Sequence, residues 1–78
     1  MKSTFVSAFA SNDFRNSIRN GARFATIRFN KDGFIRDGRT YSSETGMRAY
    51  RNTRPKSAIM IEIIERNGMH IKFVEVES

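Results

Sequence analysis

A chain of 78 residues has room for one hydrophobic core and no second domain, so residues 1–78 are read as a single compact domain. It has no cysteine and one histidine, which excludes a disulfide framework, a thiolate metal site and an imidazole cluster; no metal and no cofactor are expected. The net charge of +6 is uneven: residues 14–56 carry eleven basic against three acidic side chains, a local +8, whereas residues 57–78 carry two basic and four acidic ones.

The opening residues, Met1 to Ala10, hold one lysine and a mildly apolar stretch broken by Ser3, Thr4 and Ser7. That stretch is too short and too polar for the apolar segment of a signal peptide, and no run approaches the roughly 20 apolar residues that cross a bilayer. With no cysteine, a cytoplasmic setting is the default expectation. Thr4 to Ala10 alternates Phe5, Ser7 and Phe9 against Val6 and Ala8, which is the period of a strand. Asp13 to Arg19 follows the capping candidates Ser11 and Asn12 and stops at Asn20-Gly21, with Phe14 and Ile18 on one face; one or two helical turns are predicted.

Residues 22–29 alternate Ala25, Ile27 and Phe29 against Phe24, Thr26 and Arg28 and predict a second strand. Lys31-Asp32-Gly33 then reads as a turn, Phe34 to Arg36 as a short strand, and Asp37-Gly38 as another turn before Arg39 to Tyr41. Ser43 to Thr53 opens with capping residues, places Met47 and Tyr50 one turn apart, and ends before Pro55, predicting a short second helix.

Two β-branched runs, residues 57–65 and 69–76, meet through Arg66-Asn67-Gly68 and predict a C-terminal hairpin. A type I′ loop at Asn67-Gly68 would set Glu65 opposite His70, Ile64 opposite Ile71 and Ile63 opposite Lys72. One face would then collect Ile59, Ile61, Ile63, Val74 and Val76, and the other Met60, Ile64, Ile71 and Phe73. Both faces are apolar, so the hairpin is expected to be packed on both sides or to form half of a homodimer interface. The fold class that follows is α+β: a mainly antiparallel sheet of about four or five strands with one or two short helices.

For catalysis the chain offers little, and no catalytic residue is assigned. It has no nucleophile elbow, its glycines lack phosphate-loop spacing, and its carboxylates lack calcium-loop alternation. His70 beside Glu65 reads as a surface pair; a small ribonuclease built from these two and nearby arginines is the enzyme alternative.

Arginine makes up ten of the fourteen basic residues, and its planar fork grips phosphate or carboxylate and stacks on rings. Arg23, Phe24, Arg28, Arg36, Arg39 and Tyr41 interleave cations with aromatics, as single-strand binders do, although residues 21–29 lack the residue order of the common RNA-binding sheet motif. Arg48, Arg51, Arg54 and Lys56 form a second basic group at the end of the second helix, able to contact phosphates or to complement the helix dipole. The expectation is a non-enzymatic binding protein whose partner is nucleic acid, single-stranded nucleic acid included, or a complex that handles it. The alternative is a compact inhibitor or adaptor of a host protein complex, of the kind phages and mobile elements encode, gripping an acidic protein.

Overall fold

The computed structural model describes residues 2–53 and 58–77; Arg54 and Lys56 of the second basic group lie outside them. Five strands and two helices follow in the order β1 (Lys2–Phe5), α1 (Asn12–Arg19), β2 (Phe24–Phe29), β3 (Ile35–Tyr41), α2 (Glu44–Arg51), β4 (Ile59–Asn67) and β5 (His70–Glu75). The strands form one antiparallel sheet ordered β1-β5-β4-β2-β3. This is the expected α+β architecture with its C-terminal hairpin.

The sheet curls until its two edges touch at one end. Val6, just past β1, bridges Ile35 at the start of β3, and the Ser7 N–H donates to the Ile35 carbonyl at 3.0 Å. Strand β1 is therefore shorter than the alternation over Thr4 to Ala10 suggests: after Val6 the chain turns, with the Ala10 N–H donating to the Ser7 carbonyl at 3.1 Å.

The inner face carries the main core. Ala25, Ile27, Ile61, Ile63, Ile71 and Phe73 from the strands, with Val6, Ala10 and Ile35, close around Phe14 and Ile18 of α1. Helix α1 forms there because Ser11 caps it, its Oγ accepting from the Phe14 N–H at 3.2 Å, and because the i, i+4 pair turns one stripe inward. It stops at Gly21, whose φ of +97° is open to glycine without strain. Full burial of Phe14 and Ile18 contributes about 1.5–3 kcal/mol each.

Helix α2 packs on the other face, against β2, β3 and β4. Ser43 caps it by accepting from the Gly46 N–H at 3.1 Å, and its Met47 is fully buried. Thr26 and Met60, direct partners across β2 and β4, are the buried residues of this outer face.

The expected turn at Asp37-Gly38 lies inside β3. Gly38 has no positive φ; a Cβ there would stand 2.6 and 2.8 Å from Cε1 and Cζ of Phe14 and 2.8 Å from the Thr26 carbonyl oxygen. The glycine makes room for a core ring and does not mark a turn. A bulge pairs Arg28 with Asp37 and Phe29 with Ile35, which leaves Arg36 without a partner in β2.

The hairpin register is also corrected. Asn67 pairs with His70, Arg66 with Ile71 and Glu65 with Lys72, so the two loop residues are Gly68 and Met69. Only Gly68 has positive φ, at +62°, which is the pattern of a type II′ loop with glycine first. A bulge at Ile64 restores Ile63 opposite Phe73, and Ile61, Ile63, Ile71 and Phe73 all enter the inner core, while Ile64 and Val74 are exposed.

Candidate binding surfaces

The alternation of β2 and the register of its neighbours bring most of the sequence-selected residues to one place. Phe24 pairs with Tyr41, Thr26 with Arg39 and Arg28 with Asp37, so all six side chains stand on the outer face, beside α2. The Arg39 guanidinium lies over the Tyr50 ring at 4.3 Å, and the Tyr41 ring is 5.6 Å from that of Tyr50. Thr26 and Tyr41 share a hydroxyl hydrogen bond of 3.2 Å that fixes the inner end of this stack. At the top of the strand, Arg23 lies 5.2 Å over the Phe24 ring and reaches Glu62 on β4 at 2.7 Å.

Much of the arginine is engaged by the protein itself. Arg28 donates to both oxygens of Asp37 at 2.9 Å; this hydrogen bonding, reinforced by the carboxylate charge, raises its already high pKa. Arg36 approaches the same carboxylate at 3.8 Å. Arg48 pairs with Glu44 one turn back at 2.9 Å, and Arg51 donates to the Ala58 carbonyl at 3.0 Å. Three carboxylates thus take up Arg23, Arg28 and Arg48, whereas Arg39 and Arg51 rest on a ring and a backbone oxygen that leave their charge uncompensated. Such exposed pairs contribute little to stability, but they lower the potential that a polyanion would meet.

Next to the Arg39 stack a groove of about 610 Å³ runs between α1 and β3, bordered by Ser11, Asp13, Ser17, Arg39, Thr40 and Tyr50. Its walls hold hydroxyls and one cation, Arg39, together with two carboxylates, Asp13 and Asp37. Tyr50, expected one turn from Met47 on the second helix, is the platform for Arg39, and that i, i+3 position is the signal that placed it near the sheet.

A second surface went unread in the sequence. Phe5 and Phe34 meet edge to face at 6.2 Å, His70 stands 5.0 Å from Phe5, and Phe9 is 87 % exposed on the turn between β1 and α1. They border an open, mainly apolar cleft of about 500 Å³. The signal for it was the capping pair Ser11-Asn12 directly behind Ala10, which forces residues 7–10 to turn and prevents Phe9 from continuing a strand.

Glu65 is not opposite His70 but 3.6 Å from Lys72, and the His70 ring lies against Phe5. Ser3, Glu65, Asn67, His70 and Lys72 surround a small depression of about 250 Å³. Among the described residues no group of three or more metal-ligating side chains comes together, and no helix is long and apolar enough to cross a membrane. Comparison with known proteins finds no family model, no curated protein and no solved structure that matches the chain.

Proposed function

We propose that this protein is a small, non-enzymatic binding domain that engages nucleic acid, or a complex that handles nucleic acid, through its outer β2–β3–α2 face in the cytoplasm. The observation that carries this reading is the cluster of the Arg39 guanidinium over the Tyr50 ring, with the Tyr41 ring tilted beside it, next to an open groove. The Arg39 guanidinium lies over the Tyr50 ring and donates from Nη1 to the Tyr50 hydroxyl at 3.4 Å, and a cation held beside rings in this way supports contact with phosphate and with an unpaired base. Arg51, with the partly compensated Arg23, Arg28, Arg36 and Arg48, adds long-range attraction for a polyanion, and Arg54 and Lys56 add two further positive charges to the chain.

The test is a fluorescence anisotropy titration of labelled single-stranded oligonucleotides with the protein and its Arg39→Gln variant. Arg39 is exposed, so the variant keeps its fold, and binding should weaken by roughly tenfold if the stacked guanidinium contacts both phosphate and base. Equal binding by both proteins refutes this placement of the site.

A second reading, the compact inhibitor or adaptor that grips an acidic protein, is favoured by a different observation: the exposed Phe5, Phe9 and Phe34 cluster, which lies outside the arginine face. Self-association through the exposed Ile64 and Val74 of the hairpin belongs to the same reading; the part of that face over β2 and β4 is already covered by α2.

A further inference from the structure

Two Asn-Gly pairs occur in the chain, Asn20-Gly21 and Asn67-Gly68, and the fold holds them differently. An asparagine followed by glycine is the pair in which a backbone nitrogen most readily attacks the preceding side-chain amide, because glycine has no Cβ to obstruct the approach. At Asn20-Gly21 the end of α1 fixes the backbone on both sides of that nitrogen. The Asn20 N–H donates to the Asn16 carbonyl at 2.9 Å, the Gly21 N–H to the Ile18 carbonyl at 3.2 Å and the Ala22 N–H to the Ser17 carbonyl at 3.1 Å. The Arg66 guanidinium reaches across from β4 and donates to the Ala22 carbonyl. Turning the Gly21 nitrogen toward the Asn20 side chain breaks the Gly21 and Ala22 bonds and strains the Arg66 contact.

At Asn67-Gly68 the reverse holds. Both residues are exposed, at the tip of the β4–β5 hairpin. Gly68 opens the two-residue loop, and its N–H donates to no group among the described residues. The Asn67 carboxamide likewise has no hydrogen-bond partner there. The restraint on Asn67 is its pairing with His70, the last of the ladder, and pairs at an exposed end open first.

We propose that Asn67-Gly68 is a site of self-modification in the folded protein, converting to aspartate and isoaspartate without an enzyme. The Gly68 nitrogen loses its proton to solvent and bonds to Cγ of Asn67. The Cγ–Nδ2 bond breaks, the amide nitrogen takes up a proton and leaves as ammonia, and a cyclic imide remains. Water then opens the imide. Cleavage of the new Cγ–N bond gives aspartate in an ordinary chain; cleavage between the Asn67 carbonyl carbon and the Gly68 nitrogen gives isoaspartate, whose chain runs through Cβ and Cγ. The sum is amide plus water to acid plus ammonia, with nothing oxidised or reduced. Either product lowers the net charge by one unit from +6 and adds a carboxylate to the depression that holds the Glu65–Lys72 pair. The isoaspartyl product also adds a backbone atom at the Asn67–His70 pair, which the closing pair of a tight loop accommodates only by opening. The reaction needs no partner, so it stands apart from the nucleic-acid reading.

The test incubates the protein in mildly alkaline buffer, folded and also unfolded in guanidinium chloride, and follows the exchange of amide for acid in each peptide by mass spectrometry. In denaturant the two Asn-Gly pairs are chemically alike and should react within about threefold of each other. In the folded protein Asn67 should keep at least about a tenth of its unfolded rate, and Asn20 should be slower than Asn67 by about tenfold or more, the effect of its additional backbone hydrogen bonds. Asn67→Gln, whose longer side chain closes the ring far less readily, should remove the fast site and leave Asn20 unchanged. The isoaspartyl form should unfold at a lower denaturant concentration than Asn67→Asp, which has the same charge on an ordinary backbone. Three results overturn the proposal: Asn20 reacting as fast as Asn67 in the folded protein; Asn67 slowed by folding more than about tenfold, which makes the hairpin tip protective; or an isoaspartyl form as stable as Asn67→Asp, which removes the effect on the hairpin.

Discussion

Replacing Gly38 by alanine tests how the core is assembled, because the expected sign is opposite to the usual one. At an unconstrained position a glycine-to-alanine change stabilises a protein by about 0.4–1 kcal/mol by narrowing the unfolded ensemble. In β3 the new methyl would lie 2.6 and 2.8 Å from two carbons of the Phe14 ring and 2.8 Å from the Thr26 carbonyl oxygen. The carbonyl belongs to the neighbouring strand β2 and cannot withdraw, and Phe14 is 2 % exposed with the rest of the core behind it, so α1 must shift. Overpacking of this kind costs about 1–3 kcal/mol. For a domain of this size a net loss of about 2 kcal/mol lowers the melting temperature by roughly 8–16 °C. Thermal unfolding followed by circular dichroism measures it. Phe14→Leu removes the clashing ring atoms at the expense of core volume, so the double variant should be less destabilised than the sum of the singles by about 1 kcal/mol or more. A Gly38→Ala protein as stable as the parent, or strict additivity in the pair, would refute the packing of α1 against β3.

Three further outcomes follow. Gly68→Val should destabilise by roughly 1–3 kcal/mol because φ is +62° there, whereas Asn67→Thr should be nearly neutral because Asn67 is a strand residue; comparable losses at both in urea denaturation would restore the type I′ loop. Met47→Ala should cost about 2–5 kcal/mol in the same assay, since Met47 is the one buried side chain by which α2 holds the outer face, and a negligible loss would mean that α2 is not docked. Ser11→Ala should cost about 1 kcal/mol through the lost cap of α1, and an unchanged midpoint would show that the Oγ to Phe14 N–H bond contributes nothing.

The two helices, their caps and the terminal hairpin were legible because each has a local signal: Ser11 and Ser43 ahead of short amphipathic stretches, and two β-branched runs flanking a glycine. What was not legible depends on contacts distant in sequence. Gly38 looks like a turn residue until Phe14 of α1 is placed against it, 24 positions earlier in the chain. Asn67-Gly68 favours a type I′ loop locally, but burial of Ile71 and Phe73 on the same face as Ile61 and Ile63 decides the register, with the bulge at Ile64 absorbing the extra residue. The arginine–aromatic face was recognisable from the period of β2, which puts Phe24, Thr26 and Arg28 on one side. Its internal pairing with Asp37 and Glu62 was not, because those carboxylates come from two other strands, β3 and β4. The Phe9 cleft escaped because alternation over Thr4 to Ala10 is the same for a strand that continues and for one that ends at Val6.

The central claim, binding of nucleic acid through the arginine face, is tested most directly by the salt dependence of oligonucleotide affinity. A single-stranded oligonucleotide should bind at physiological salt with a dissociation constant tighter than about 10⁻⁴ M, and log K should fall against log salt by about 0.7 for each phosphate contacted. Replacing Arg39, Arg48 and Arg51 together by glutamine should flatten that slope by roughly two units, because each guanidinium lost removes about one phosphate contact. Binding weaker than about 10⁻⁴ M at physiological salt, or a slope that the triple replacement leaves unchanged, would contradict the claim and assign the arginine face to a protein partner.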